Sequence, residues 1–182
     1  MSSRFFRAAG TRVWASVRGE RGVQNFYSLL KIVCTFHLFS EYVGGIRTVS
    51  GPSMLPTMTG TNEWILEDAL TVRFGLKPIS RGELVVLVSP RAPTEQICKR
   101  VIGLPGDIVC VDPTGERAPS TEHCLIPKGH IWIQGDNAAG SRDSRYYGPV
   151  PIALVRARVV ARFWPWRSRT IFGDNITILG EA

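Results

Sequence analysis

Three short segments hold residue types able to break an amide bond. The first is Ser50-Gly51-Pro52-Ser53-Met54-Leu55-Pro56-Thr57. Its two prolines bar regular helix, so Ser53 is presented on a constrained loop. A hydroxyl held that way is a candidate nucleophile if a neighbouring base takes its proton; the alternative is an ordinary turn serine. The second is Ile97-Cys98-Lys99-Arg100-Val101-Ile102-Gly103-Leu104-Pro105-Gly106-Asp107. Successive strand residues face opposite ways, so Lys99 and Arg100 diverge, and one turns toward whatever the strand packs on. A lysine among apolar neighbours loses hydration, which favours the neutral amine and makes it a base near neutral pH. The alternative is an edge strand with two solvated cations. The third is Gly135-Asp136-Asn137-Ala138-Ala139-Gly140-Ser141-Arg142-Asp143-Ser144-Arg145, leading to Tyr147-Gly148-Pro149-Val150-Pro151. It reads as a polar loop after an apolar strand. Asp143 and Arg145 form an ion pair there, or either pairs with Arg100 or Asp107, or the stretch is a plain Asx-rich turn.

The elements that must bring these segments together are strands. Past residue 46, apolar stretches are short and β-branched, with expected strands at 64–66, 83–88, 97–102, 107–111, 130–134 and 155–163. Turn signals such as Arg81-Gly82, Leu104-Pro105-Gly106 and Pro127-Lys128-Gly129 separate them. The body is therefore mainly β, with no internal repeat. Trp164-Pro165-Trp166 is read as core packing, with a small apolar anchor near a membrane as its other use.

Upstream, residues 1–25 are rich in Arg (Arg4, Arg7, Arg12, Arg18, Arg21) with Glu20 as the one acid, interleaved with Phe5, Phe6, Val13 and Trp14. Mitochondrial targeting segments have this composition; a solvated basic tail is the alternative. Residues 26–43, FYSLLKIVCTFHLFSEYV, are at the short end of what crosses a bilayer core, about 18–20 residues. Lys31, His37 and Glu41 weaken that reading, although Lys31 can snorkel and His37 and Glu41 share a face suited to a partner helix. A transmembrane or interfacial helix is expected over 26–46, with residues 47–182 as the folded domain. The excess of Arg before the run keeps the N-terminus on the side of synthesis and exports the body.

Composition excludes several classes. With 182 residues, 44% hydrophobic and 20% charged, the chain is neither disordered nor collagen-like. The net charge of +7 sits at the ends, in 1–21 and in Arg156, Arg158, Arg162, Arg167 and Arg169, not on a patch interleaved with stacking aromatics, which argues against nucleic acid as a partner. Four scattered cysteines make no disulfide scaffold; Cys110 and Cys124, which flank the insert 111–123, are expected as free thiols, with a disulfide between them as the alternative. His123 and His130 lack metal-ligand spacing, and neither metal nor cofactor is expected. Asn175-Ile176-Thr177 matches a glycosylation sequon.

Together the segments, S-G-P-S-M-x-P-T, K-R-V-I-G-L-P-G-D and G-D-N-x-x-x-S-x-D-S-R-x-x-G-P-V-P, resemble in order and spacing the boxes of the type I signal peptidase family of serine–lysine proteases. The resemblance runs from about Ser50 to Pro151, more than half the chain. His37-Leu38-Phe39-Ser40-Glu41-Tyr42-Val43, Ile97-Cys98-Lys99-Arg100 and Gly129-His130-Ile131-Trp132 are similar to its mitochondrial members. It implies a signal-peptidase-like β fold with one N-terminal membrane-anchoring helix, and an endopeptidase in which Ser53 attacks and Lys99 is the general base. It further implies that Ser141 orients Lys99, that Asp143 and Arg145 brace the loop with Arg100 alongside, and that Val49, Met58 and Cys98 line a shallow substrate pocket. Lys99 fits the bacterial and organellar branch, since relatives of the endoplasmic reticulum carry His there. Gly51 departs from bacterial members whose serine at this place donates to the oxyanion. Expected partners are precursor proteins with presequences, bound as an added strand, a paralogous peptidase subunit and the membrane. The expected place is the mitochondrial inner membrane, with the catalytic domain in the intermembrane space. Other readings are a LexA-type self-cleaving switch, which lacks its helix-turn-helix here, a non-enzymatic assembly subunit and a basic membrane-surface adaptor.

Overall fold

The computed structural model describes the backbone of residues 3–115 and 118–173, and side chains from residue 21 within those bounds. The sequon at Asn175 lies outside the described residues. The chain divides into two compact units, Met1–Ser40 and Glu41–Ala182.

No proline interrupts the chain before residue 52, and helix α1 runs over Ser3–Tyr42, through the Arg-rich segment and the apolar run alike. Among the described residues, no helix is long and apolar enough to cross a membrane. The span expected over 26–43 is not found, because Lys31, His37 and Glu41 dilute the run. The apolar side chains of Phe26, Leu29, Ile32, Phe36 and Phe39 are nonetheless exposed along it.

Strand β1 (Gly44–Val49) begins two residues after the helix ends, so residues 26–46 are divided between helix and strand. Gly44 makes the corner. Its φ is +138°, and a Cβ there would stand 2.1 Å from the Glu67 carbonyl oxygen. Gly44→Ala is expected to cost about 2 kcal/mol or more of stability, read as a lower urea midpoint of the full chain in detergent. Residue 43 also accepts from the N–H groups of Ala69 and Leu70, at 3.1 and 3.0 Å.

The body is mainly β, as expected. After β1 come β2 (Glu63–Asp68), the short helix α2 (Leu70–Arg73), β3 (Leu84–Val88), β4 (Gln96–Gly103), β5 (Ile108–Cys110), β6 (His123–Leu125), β7 (His130–Gln134), α3 (Ser144–Tyr147), β8 (Val150–Pro151), β9 (Val155–Trp164) and β10 (Thr170–Ile171). All pairs are antiparallel, in the order β1-β2-β9-β3-β4-β7-β8, with β10 on β9 and with β5 and β6 forming a separate ribbon. Strand β3 is the pivot and reads as a continuous apolar run because both its faces are covered. Val85 and Leu87 join Val101, Ile131, Ile133, Val150 and Val155 in one core cluster. Leu84 and Val86 join Met54, Met58, Ile65 and Val159 in the other.

Two details bear on the sequence reading, and the first corrects it. Trp164 and Trp166 are exposed, not core; their rings meet edge-on at 6.4 Å, and Trp164 also lies beside Trp64. Cys110 sits opposite His123, and Cys124 opposite Val109. Adjacent strand residues face opposite sides, so the two sulfurs lie on opposite faces of the ribbon and both are free.

Candidate active site

The Ser53 loop is built by its flanking residues. Gly51 adopts φ +120°, a region that favours glycine, and its N–H donates to the Gly60 carbonyl at 2.9 Å, closing the loop on itself. Pro52, with no N–H to lose, starts a 3₁₀ turn over Pro52–Met54. Met54 and Met58 then turn inward, linked by a 2.8 Å bond from the Met58 N–H to the Met54 carbonyl.

Lys99 reaches this loop from β4. Its Nζ lies 2.8 Å from Ser53 Oγ and 3.1 Å from the Cys98 carbonyl oxygen. Val85 is its cross-strand partner, in the first core cluster, and Lys99 is only 4% exposed. Burial pulls its pKa below the ordinary lysine value, against the opposing pull of Cys98, Asp143 and Asp136. Neither cation of the Lys99-Arg100 pair is solvated. Arg100 faces the other way and grips Asp136, Nε to Oδ1 at 2.8 Å and Nη2 to Oδ2 at 2.7 Å, with Nη1 on the Gly82 carbonyl. It pairs with neither Asp143 nor Asp107; Asp107 is held by Arg81.

The loop after β7 clasps the serine from the far side. Asp143 is fully buried and accepts from Ser141 Oγ at 2.6 Å, the Gly135 N–H at 2.8 Å, and Arg145 Nε and Nη2 at 2.9 and 2.7 Å. Burial alone would raise its pKa, but the hydrogen bonds from Arg145, Gly135 and Ser141 hold it below the usual carboxylate value. Asp143 and Arg145 are thus joined to each other within this loop. The contact expected between Ser141 and Lys99 is not formed. The Ser141 proton goes to Asp143, and among the described residues no hydrogen bond links it to Lys99. Gly135 lies between the two serines; a Cβ there would stand 2.3 Å from Ser141 Oγ and 2.4 Å from the Ser53 carbonyl oxygen. Asn137 finishes the clasp, its N–H on the Ser53 carbonyl at 3.1 Å and its Nδ2 on the Pro52 carbonyl at 3.0 Å.

Beside Ser53 opens a cleft of about 280 Å³, between residues 47–49 of β1 and 96–98 of β4. Val49, Met58 and Cys98 line it with Met54 and Val86. Burial pushes the Cys98 thiol up to about 12, so it acts as an apolar wall and not a competing thiolate. Among the described residues, the cleft side of β1 has no strand partner, and β7 pairs with β4 only from Arg100 onward. Among these residues both strands thus leave main-chain edges along the cleft without a partner strand. Among the described residues, no group of three or more His, Cys, Asp or Glu can hold a metal.

Sequence reasoning missed four contributors. Thr57 Oγ1 donates to Asp136 Oδ2 at 2.5 Å. Both residues stand inside the quoted motifs, and their polar side chains in otherwise tight turns were the available signal. Glu63 and Arg162 had none, because their pairing depends on β2 lying beside β9.

The signal peptidase, peptidase S26 family model matches residues 23–117 and 112–164. The mitochondrial inner membrane protease subunit 1 of Schizosaccharomyces pombe is 42% identical over 147 residues, covering 79% of this chain and 90% of the relative. The protein of that name from Xenopus tropicalis is 45% identical over 135 residues, 74% of this chain and 78% of its own. A mouse mitochondrial inner membrane protease subunit 2 is 30% identical over 161 residues, 86% of each chain.

Proposed function

The chain belongs to the signal peptidase family, peptidase S26, and on that premise we propose that it is a serine endopeptidase that removes sorting peptides from precursors at the mitochondrial inner membrane, through Ser53 and Lys99. The observation that carries this reading is the 2.8 Å contact between Ser53 Oγ and a buried lysine amine. A neutral Nζ takes the Ser53 proton as Oγ bonds to the scissile carbonyl carbon. The ammonium returns that proton to the leaving amine as the C–N bond breaks, leaving an acyl-Ser53. Water, losing its proton to the same Nζ, then attacks the ester, and Ser53 Oγ recovers a proton as the acid departs. The Ser53 N–H, at the open start of its 3₁₀ turn, is one oxyanion donor; Gly51 offers no side chain for a second.

The substrate lies extended in the cleft between β1 and β4, with the side chain before the cut against Val49, Met58 and Cys98. Asp143 and Arg145, with Arg100 on Asp136, are positioning residues for the two loops, and Ser141 fixes the rim beside Lys99. The exposed apolar length of α1 attaches the chain at the membrane, lying in the interface or against a helix of a paralogous subunit; the likeness to both subunit names supports that partner. Exposed Trp64, Trp164 and Trp166 suit a domain held at a bilayer face. The segment 1–25 serves import, and the domain 47–182 lies in the intermembrane space.

Purified full chain in detergent, given a precursor peptide with a small residue before the cut, is expected to cleave at one bond by mass spectrometry, and Ser53→Ala to leave none of that activity. Equal cleavage by both proteins would remove Ser53 from the mechanism.

A further inference from the structure

The cleft wall formed by Met58 is held by a buried ion pair that the Ser53–Lys99 chemistry does not use. Glu63 is fully buried and Arg162 is 7% exposed. Arg162 Nη1 donates to Glu63 Oε1 at 2.8 Å and to the Thr57 carbonyl at 2.8 Å, while Glu63 Oε2 accepts from the Thr59 N–H at 3.0 Å. The pair therefore takes one main-chain group on each side of Met58. Glu63 itself stands opposite Val49 in the β1–β2 register, so it also fixes the second wall. Arg162 is anchored in turn by the Ser168 carbonyl at 2.5 Å and by Thr170 Oγ1 at 3.3 Å. A buried pair of this kind contributes little net stability against apolar replacements, so its use is sought in what it orients.

We propose that Glu63 and Arg162 are positioning residues that set the width of the substrate cleft and thereby how large a side chain it accepts before the cut. The proposal rests on the reading of this cleft as the substrate pocket. Thr57–Asp136 holds the strap 57–59 from the catalytic side and Glu63–Arg162 from the other. Loosening the second hold lets Met58 move away from Val49 and Cys98 without touching Ser53 or Lys99. A pocket wider by about one methylene loses roughly tenfold of its discrimination.

Two readouts test this on the full chain in detergent. In the first, wild type, Glu63→Gln and Arg162→Lys are given peptides with Ala, Val or Leu before the cut. The ratio of kcat/KM for Ala over Leu is expected to fall about tenfold in both variants, carried in KM, with the acidic limb of the pH profile unmoved. In the second, which needs no catalysis, NOEs from the 13C-labelled Met58 methyl to the Val49 and Cys98 side chains are followed by NMR. They are expected in wild type and lost in the variants as Met58 moves away. Proportional loss on all peptides, or no change in either readout, would overturn the proposal. If Arg162→Lys does not fold, Glu63→Gln decides alone, since its amide oxygen still accepts from Thr59. Lost NOEs with unaltered peptide preference would leave the width of the cleft to this pair and sink its reading as the substrate pocket.

Discussion

Lys99→Met is expected to reduce peptide cleavage by about 10⁴-fold or more while leaving the protein as stable as wild type, or more so, at neutral pH. The two halves of this expectation have one cause. Burial holds the Lys99 pKa below its ordinary value. The folded state therefore binds fewer protons at this site than the unfolded chain between the folded pKa and about 10.4. Stability contributed by this group rises with pH across that window, and at neutral pH the group is a net cost. Methionine fills the same channel beside Val85 without a charge to desolvate. The wild-type kcat/KM should accordingly rise with pH along an acidic limb below the ordinary lysine range, reporting the free-enzyme base. Cleavage and thermal melts of both proteins, run in parallel across pH, check the pair of statements. A Lys99→Met protein that keeps its activity would remove the base; one that loses Tm and activity together would make Lys99 structural.

Asp143→Ala is the second large effect, and it falls on folding. The substitution strands the Arg145 guanidinium, which is almost wholly buried, and orphans the Gly135 N–H and the Ser141 hydroxyl. Breaking a buried pair from one side costs about 3–5 kcal/mol. Because the same loop carries Asn137 onto the Ser53 carbonyl, cleavage should fall as well. The hydrogen bonds that lower the Asp143 pKa also define a pH window. Its stabilisation is fully present above the unfolded carboxyl value, about 3.9, and is lost as pH falls through the lower folded value. Urea midpoints of wild type and Asp143→Ala should therefore converge in acid and stand furthest apart near neutrality. A constant difference from acid to neutral pH would assign the effect to packing alone.

Much of this site was legible in the chain because local rules suffice for it. Gly-Pro before Ser53 and a Pro after it leave little but a tight loop, wherever the rest goes. The alternation around Lys99 and Arg100 required that they diverge, and they do, one to Ser53 and the other to Asp136. The β character of the body followed from short β-branched runs between Gly and Pro turns. What the chain left open were choices between partners. Asp143 had Arg145 and Arg100 within reach on paper, and nothing local ranks them. Trp164 and Trp166 read as core because indoles usually are, yet β9 at that point faces solvent.

The sequence by itself determined the chemistry available and the shape of each carrier: a serine on a stiff loop, a lysine in an apolar strand, an aspartate in a glycine-bearing turn. These follow from backbone sterics and side-chain period, which act over a few residues. Only the tertiary structure decided that Ser53 and Lys99 meet, that Ser141 gives its proton to Asp143, and that Glu63 finds Arg162 across β2 and β9. Those contacts depend on strand order and register, which are set by burial of the two clusters on β3 summed over the whole sheet.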